Sequence, residues 1–324
     1  MGQVTEVPQA RQRRHRYAFP FIGIVLLSAL IYLLGPVRIL DALRRTDPAW
    51  VVASGALIAA GLWIRVWKWR IALGPGSRAT YLFYISKGAG EWTPGRLGEF
   101  APLLVKENRT TKVAAWILLD RLLEISATLG ICAVGFVLLP FRVQAPFAMA
   151  LAVLGGVLAF VVFAAGHSPW HQALACRMPR GSRLQRAFLT TAQLAGDVRT
   201  FHSKSPLTIG ITVLAGCCDV WAGKALFLAF DRNVPFAPLA AARGVHSIVA
   251  TIPITPNSTG VPYVSAAAMV HELAGVPNDV LAVATTLSIA VTTCIFWGSF
   301  AVGTRNSGNT TVDADAPVTT SKIH

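Results

Sequence analysis

The stretch Pro94-Gly95-Arg96-Leu97-Gly98-Glu99 decides how this chain is read. It lies in a polar, glycine-rich break between long apolar runs. An arginine and a glutamate at membrane depth are costly on a helix that faces lipid, so such residues line a cavity or a pathway. Backbone broken by proline and glycine is tolerated there only where protein or water covers it. A second break, Pro253-Ile254-Thr255-Pro256-Asn257-Ser258-Thr259-Gly260, interrupts the other half. Two interrupted hydrophobic segments, one in each half, point to a transport site.

The flanking sequence sets the fold class. Of the 324 residues, 54% are hydrophobic and 14% charged. Apolar runs of spanning length recur at about 18–35, 49–73, 113–139, 145–166, 207–230 and 280–302. The expected fold is an all-α polytopic membrane protein. It would have about six full transmembrane helices plus two broken, re-entrant helical segments at 80–108 and 236–274. No alternating strand pattern supports a β-barrel. The formal charge of +14 would suggest nucleic acid in a soluble protein. Here the basic residues cluster in loops and helix ends, as cytoplasmic loops of membrane proteins do, so no nucleic-acid partner is expected.

Loop charges then give a topology. Residues 1–17 form a basic N-terminus with Arg11, Arg13, Arg14 and Arg16, expected to be cytoplasmic. The loop 167–204 carries Arg177, Arg180, Arg183, Arg186, Arg199 and Lys204 against one acid, Asp197, and is placed on the same side. Four spans separate the two if the first break enters and leaves on one face. The second break then enters from the opposite face, which suits an inverted-topology arrangement. The membrane domain is expected over 18–303, with a disordered polar tail at 304–324. Both termini are expected in the cytoplasm, and the protein in the plasma (inner) membrane.

The candidate site residues cluster at the first break. Lys87, Glu91, Arg96 and Glu99 fall within thirteen positions, among Gly88, Gly90, Gly95 and Gly98, which would let backbone approach a ligand. A helix opening at Pro94 would aim its positive end at an anionic phosphate. Arg96 offers that phosphate a planar donor fork, and Glu99 would orient Arg96 or meet a cationic headgroup. A buried structural ion pair is the plainer alternative. Asp120, Arg121 and Glu124 open the third span, with Asp120 and Glu124 on one helix face and Arg121 about 100° around it. They suggest an interior surface, or cations and acids at the interface. Trp63-Ile64-Arg65-Val66-Trp67-Lys68-Trp69-Arg70 reads as an interfacial aromatic belt with snorkelling cations, and Arg65 is its candidate for a headgroup-facing position.

Further along, Asp219 and Lys224 lie five apart in an apolar helix, able to pair with each other or with the breaks. Arg243 and His246 precede the second break, and His271 and Glu272 follow it. A histidine here can relay protons, and a satisfied helix-end histidine is the plainer reading. In the second break, Thr255, Pro256, Asn257 and Gly260 are the candidates. Cys132, Cys176, Cys217, Cys218 and Cys294 include no metal-spaced pair and no CxxC, so they read as small apolar residues. No metal or other cofactor is expected. Enzyme motifs fail as well. His271-Glu272 has Gly275 where HExxH needs its second histidine, Gly223-Lys224 lacks the rest of a P-loop, and no GxSxG occurs.

At these residues the chain resembles the lysylphosphatidylglycerol synthase transmembrane-region family of flippase-like integral membrane proteins. Pro94 to Glu99 matches its first motif, followed by Asp120-Arg121-Leu122 at a Glu/Asp-Arg position. In the second motif Thr255, Pro256, Gly260 and Val261 agree, while Asn257-Ser258 replaces a glycine pair and Tyr263 stands where an acid is expected. The resemblance implies a membrane domain that moves lipids or lipid-linked headgroups between leaflets, without the soluble aminoacyl-transfer domain. Arg96, Glu99 and Arg121 are the positions it carries over.

The expected function is therefore a lipid or lipid-linked headgroup translocase, not an enzyme, with membrane lipids as its partners. Two other classes remain open. One is a membrane-embedded transferase acting on lipid-linked substrates. The other is a non-transporting scaffold for partner proteins in envelope lipid or glycan synthesis, docked by the basic loop.

Overall fold

The computed structural model describes residues 44–91, 93–105, 108, 110–139, 200–201, 205–251 and 261–307, plus the isolated positions 37, 40, 41, 176, 193, 196 and 197. Every regular element among them is helical. Helix α1 spans Pro48–Leu73, α2 Ser77–Glu91, a 3-10 helix Pro94–Leu104, and α3 Thr111–Val137. Helices α4 (Ser205–Leu228), α5 (Phe236–Thr251), α6 (Val261–Ala274) and α7 (Asn278–Ser307) follow.

Local chemistry sets several of these ends. Asp47 caps α1 by accepting the Ala49 N–H at 2.9 Å, and Pro48 occupies the first turn, where its missing N–H costs nothing. Gly74 closes the helix at φ 116°. Thr110 caps α3 by accepting the Val113 N–H at 3.2 Å. At the end of α6, His271 Nδ1 meets the Val276 carbonyl at 2.8 Å and Gly275 turns left-handed at φ 64°. His271 is thus a satisfied helix-end histidine.

Among the described residues, three helices are long and apolar enough to cross a membrane: α1, most of α4 (Pro206–Leu228) and the Asn278–Ser299 portion of α7. They make the chain a membrane-embedded multi-pass protein. Helix α3 is as long, at 27 residues, but carries Asp120, Arg121 and Glu124 midway along it. Asp120 is buried, so this helix keeps charge toward protein. Two other expected spans, 18–35 and 145–166, lie outside the described residues, as do residues 1–17 and most of the 167–204 loop. Helix α7 continues to Ser307, a few residues into the stretch expected as tail.

The first break is a helical hairpin. The chain reverses after Glu91, and the 3-10 helix packs back along α2. Ser86 donates to the Glu99 carbonyl at 2.7 Å. Thr93 donates to the Ala89 carbonyl at 3.0 Å and accepts the Gly98 N–H at 2.6 Å. A side chain at Gly98 would fall on the Ala89 carbonyl oxygen, and one at Gly90 would lie 2.5 Å from Glu99. Gly98 therefore admits backbone to backbone and Gly90 makes room for the Glu99 side chain, so neither brings backbone to a ligand as their spacing first suggests. Gly98→Ala is expected to cost roughly 1–3 kcal/mol, because the added Cβ would run into the Ala89 main chain, which cannot swing aside, and into the Thr93 hydroxyl. Thermal unfolding of the variant in detergent checks this, and an unchanged midpoint would mean the hairpin is loose.

The second break is likewise two short helices, α5 and α6, packed on each other. The connection 252–260, with Thr255, Pro256, Asn257 and Gly260, lies outside the described residues. Helix α5 sits against α3 through small side chains. A Cβ at Gly135 would lie 2.8 Å from Ala240, and one at Gly244 would overlap Cys132. Helices α1 and α4 also approach closely, with the Ser54 hydroxyl donating to the Ala222 carbonyl at 2.9 Å.

The tryptophan-rich end of α1 divides by face. Trp63 and Trp67 are exposed, at 68% and 50%, as an interfacial belt would be. Trp69 is fully buried, edge-on to Phe83 and Trp116. Lys68 is also fully buried and does not snorkel. The belt reading thus holds for one face of α1 and fails for the other.

Candidate functional site

Helices α1, α2, α3, α4 and α5 and the 3-10 helix each contribute charge to one connected cluster. Asp120 and Glu124, one turn apart on α3, face α1 and α2. Lys68 Nζ lies 2.5 Å from Asp120, and Lys87 Nζ lies 2.9 Å from both Asp120 and Glu124. Lys68 also donates to the Thr212 hydroxyl at 3.2 Å. Arg65 reaches Glu124 at 3.7 Å and Asp219 on α4 at 2.6 Å. Asp219 is shared, since Arg243 of α5 meets the same carboxylate at 2.5 Å.

At the other end Glu99 is the hub. Arg96, Arg121 and Lys87 surround it at 3.7, 3.6 and 3.7 Å. Glu99 is buried and stands behind the cavity wall, so it orients the cations around it. Arg96 has φ 58°, a left-handed conformation disfavoured in a residue with a Cβ. Strain of this kind persists where the surrounding structure holds the residue in place. In the described cluster, six cations (Arg65, Lys68, Lys87, Arg96, Arg121, Arg243) meet four carboxylates (Glu99, Asp120, Glu124, Asp219).

The cluster forms one wall of a cavity of about 360 Å³. That volume falls within the range of ~300–1,000 Å³ usual for small-molecule sites. Arg65, Lys87, Arg96, Arg121, Glu124, Asp219, Arg243 and His246 line it on the charged side. Ile58, Leu62, Val220, Leu226, Phe227, Leu239, Val270 and Leu281 are aliphatic or aromatic members of its lining, which also includes hydroxyl groups such as Ser247, Thr285 and Ser288. The His246 ring stands 4.5 Å from Tyr263, edge to face, and both border the cavity. Such a cavity suits an amphiphile, with an anionic group on the arginines and hydrocarbon on the aliphatic wall.

The structure brings together most of the residues singled out in the sequence. Lys87, Arg96, Arg121, Glu124 and Arg65 line the cavity, while Glu99 and Asp120 stand behind them as counterions. Glu91 is the last residue of α2, beside the reversal. The Asp219–Lys224 pairing does not form, but the alternative of a partner in the breaks holds for Asp219. It turns to Arg243 of the second broken segment and to Arg65, while the Lys224 ammonium sits 5.3 Å over the Trp221 ring. Lys224→Ala is accordingly expected to change stability by no more than about 0.5–1 kcal/mol. Asp219→Ala, which strips two arginines of their shared carboxylate, is expected to cost several times that. Equal unfolding midpoints for the two variants would refute this pairing.

Lys68 and Arg243 were not among the expected site residues. Lys68 was masked by its tryptophan neighbours, which also fit an interface. A lone arginine in an alanine-rich helix, as Arg243 is, was the available signal at α5.

Fold and site together define a multi-pass membrane protein with a buried ionic cluster at the edge of an amphiphilic cavity. The family described as "Lysylphosphatidylglycerol synthase TM region" matches residues 21–303. The chain belongs to this family, which places it in lipid-related processes of the membrane. No curated protein and no solved structure matches.

Proposed function

We propose that this protein is a flippase-like translocase, carrying a lipid or lipid-linked headgroup through the cavity between its two hairpins. The observation that supports the reading best is that one cavity is lined both by the arginine-rich ionic cluster and by aliphatic side chains. A headgroup phosphate would bridge Arg96 and Arg121 from the first half and Arg243 from the second. The acyl or prenyl chain would follow the aliphatic side. Glu99 and Asp219 hold the arginine forks in place while no headgroup is bound. In this reading the chain makes about six spans with both termini cytoplasmic in the plasma membrane. The hairpins enter from opposite faces, as in inverted-repeat transport folds.

The test is leaflet-resolved lipid movement in proteoliposomes of the full chain, with labelled lipids of several headgroup types. Movement above protein-free vesicles, with the lipid recovered unchanged in mass, is the expected result. A covalently altered lipid would replace the reading with a transferase. Bound lipid that never changes leaflet would favour a scaffold.

A further inference from the structure

Among the described residues that line the cavity, each cation already has a carboxylate, so an arriving anion must share one or displace one. The pairs are unequal. Glu99 stands 3.7 Å from Arg96 and 3.6 Å from Arg121, longer than a charge-assisted hydrogen bond. These two arginines can accept an anion and keep Glu99. Arg243 cannot, because it meets Asp219 at 2.5 Å, the only carboxylate among the described residues within ion-pair distance of it. Yet its side chain is the most exposed of the six cations in the cluster, at 34% against 21% for Arg96.

Asp219 differs from Arg243 in having a second partner. Arg65 donates to both of its oxygens, at 2.6 Å and 3.4 Å. A carboxylate that gives up Arg243 therefore stays ionised on Arg65. Arg243 is orphaned by the same break unless another anion takes it, and a buried orphaned charge is costly. Six cations against four carboxylates leave the described cluster two positive charges in excess, so an added anion lowers its net charge. The pair also joins helices that otherwise lean on different neighbours. Helix α4 is packed on α1, where a Cβ at Gly61 would lie 3.3 Å from Cys218, and α5 is packed on α3 at Gly135 and Gly244. Among the described residues, Arg243–Asp219 is the one ion pair that ties α5 to another helix.

We infer that Asp219 is a built-in competitor for the cavity's anion. With the cavity empty, its carboxylate occupies the Arg243 donors. A phosphate group held by Arg96 and Arg121 exchanges for it there, and Asp219 withdraws onto Arg65. The exchange undoes the tie between α4 and α5, so occupancy of the cavity and the hold on α5 are linked. The inference deepens the translocase reading and rests on its cavity.

The experiment measures binding of inorganic phosphate and of dioleoyl phosphatidic acid to the purified full chain, at one pH in detergent. The readout is the concentration of each that gives half of its thermal stabilisation. Asp219→Asn keeps the shape and removes the competing charge. It is expected to half-saturate at a concentration about ten- to hundredfold below wild type, the worth of one charge-assisted bond. A carboxylate that merely supported the site would give the opposite sign. Glu124→Gln takes the same charge from the same wall without releasing Arg243, and is expected to gain less. In the Arg243→Gln background, Asp219→Asn is expected to gain nothing, which assigns the effect to the pair. That double variant leaves neither charge of the pair alone, so it keeps the comparison open if the single variant is fragile. An Asp219→Asn protein that folds only with phosphate present is the same result, since the anion then replaces the carboxylate.

Tighter binding of the lipid than of inorganic phosphate makes the lipid the exchanging anion, and the reverse makes it the free ion; the exchange stands in both. Equal or weaker binding by Asp219→Asn overturns the inference. So does a gain matched by Glu124→Gln, or one that survives without Arg243. Stabilisation by neither probe, in any variant, removes the anion site and the exchange with it. Exchange without leaflet movement in proteoliposomes upholds the competitor and removes translocation. Movement by wild type with no gain in Asp219→Asn does the reverse.

Discussion

Arg96→Ala is expected to lower lipid movement by about ten- to hundredfold, the worth of one charge-assisted bond to phosphate. It should do so without unfolding the protein. Glu99, the carboxylate beside Arg96, keeps Lys87 at 3.7 Å and Arg121 at 3.6 Å, so no buried charge loses its last partner. The backbone supplies a second, sharper variant. Arg96 has φ 58°, where glycine is at no disadvantage, so Arg96→Gly is expected to stabilise the fold by roughly 1 kcal/mol. The same change should silence transport. A variant that is more stable and less active marks a residue strained for function. The paired measurements are the unfolding midpoint in detergent and the initial rate of leaflet exchange. Full transport in either variant, at equal incorporation, would falsify the role given to Arg96.

Asp120→Ala is expected to have the largest effect on stability. Asp120 is fully buried between two lysines, Lys68 at 2.5 Å and Lys87 at 2.9 Å. Lys68 is also fully buried, and Asp120 is the only carboxylate among the described residues within ion-pair distance of it. Removing the acid leaves that ammonium without a counterion away from water, at a cost of roughly 3–5 kcal/mol. Lys87 suffers less, because Glu124 remains 2.9 Å away. The double variant Lys68→Met, Asp120→Leu removes both buried charges and fills the space with hydrocarbon. Most of the lost stability should return, since a buried pair replaced by apolar groups is often neutral. If the double variant unfolds as early as the single one, Asp120 acts through something other than this pair. Comparing the two therefore separates the worth of the ion pair from the penalty of an orphaned charge.

Charge placement also explains how much of the site was legible beforehand. The Pro94–Glu99 motif announced itself because arginine and glutamate are expensive in apolar surroundings. Asp120 and Glu124 did so by helical spacing, which puts them on one face whatever they meet. The apolar runs announced the long helices by their length alone. All of these are local signals, carried by neighbours in the chain.

What the sequence by itself determined is the class of the protein: helical, membrane-embedded, broken twice, with costly charges near the first break. Only the tertiary structure decided which charge meets which. Asp219 ignores Lys224 five positions away and bridges Arg65 and Arg243, from α1 and α5. Lys68 leaves the belt formed by Trp63 and Trp67 because its face of α1 turns toward α3. Gly98 serves an approach between two helices and not the ligand its motif suggested. The reason is that a helix fixes only which side chains share a face. The partner that face meets is set by packing between elements far apart in sequence, and ion pairs at membrane depth depend on that partner.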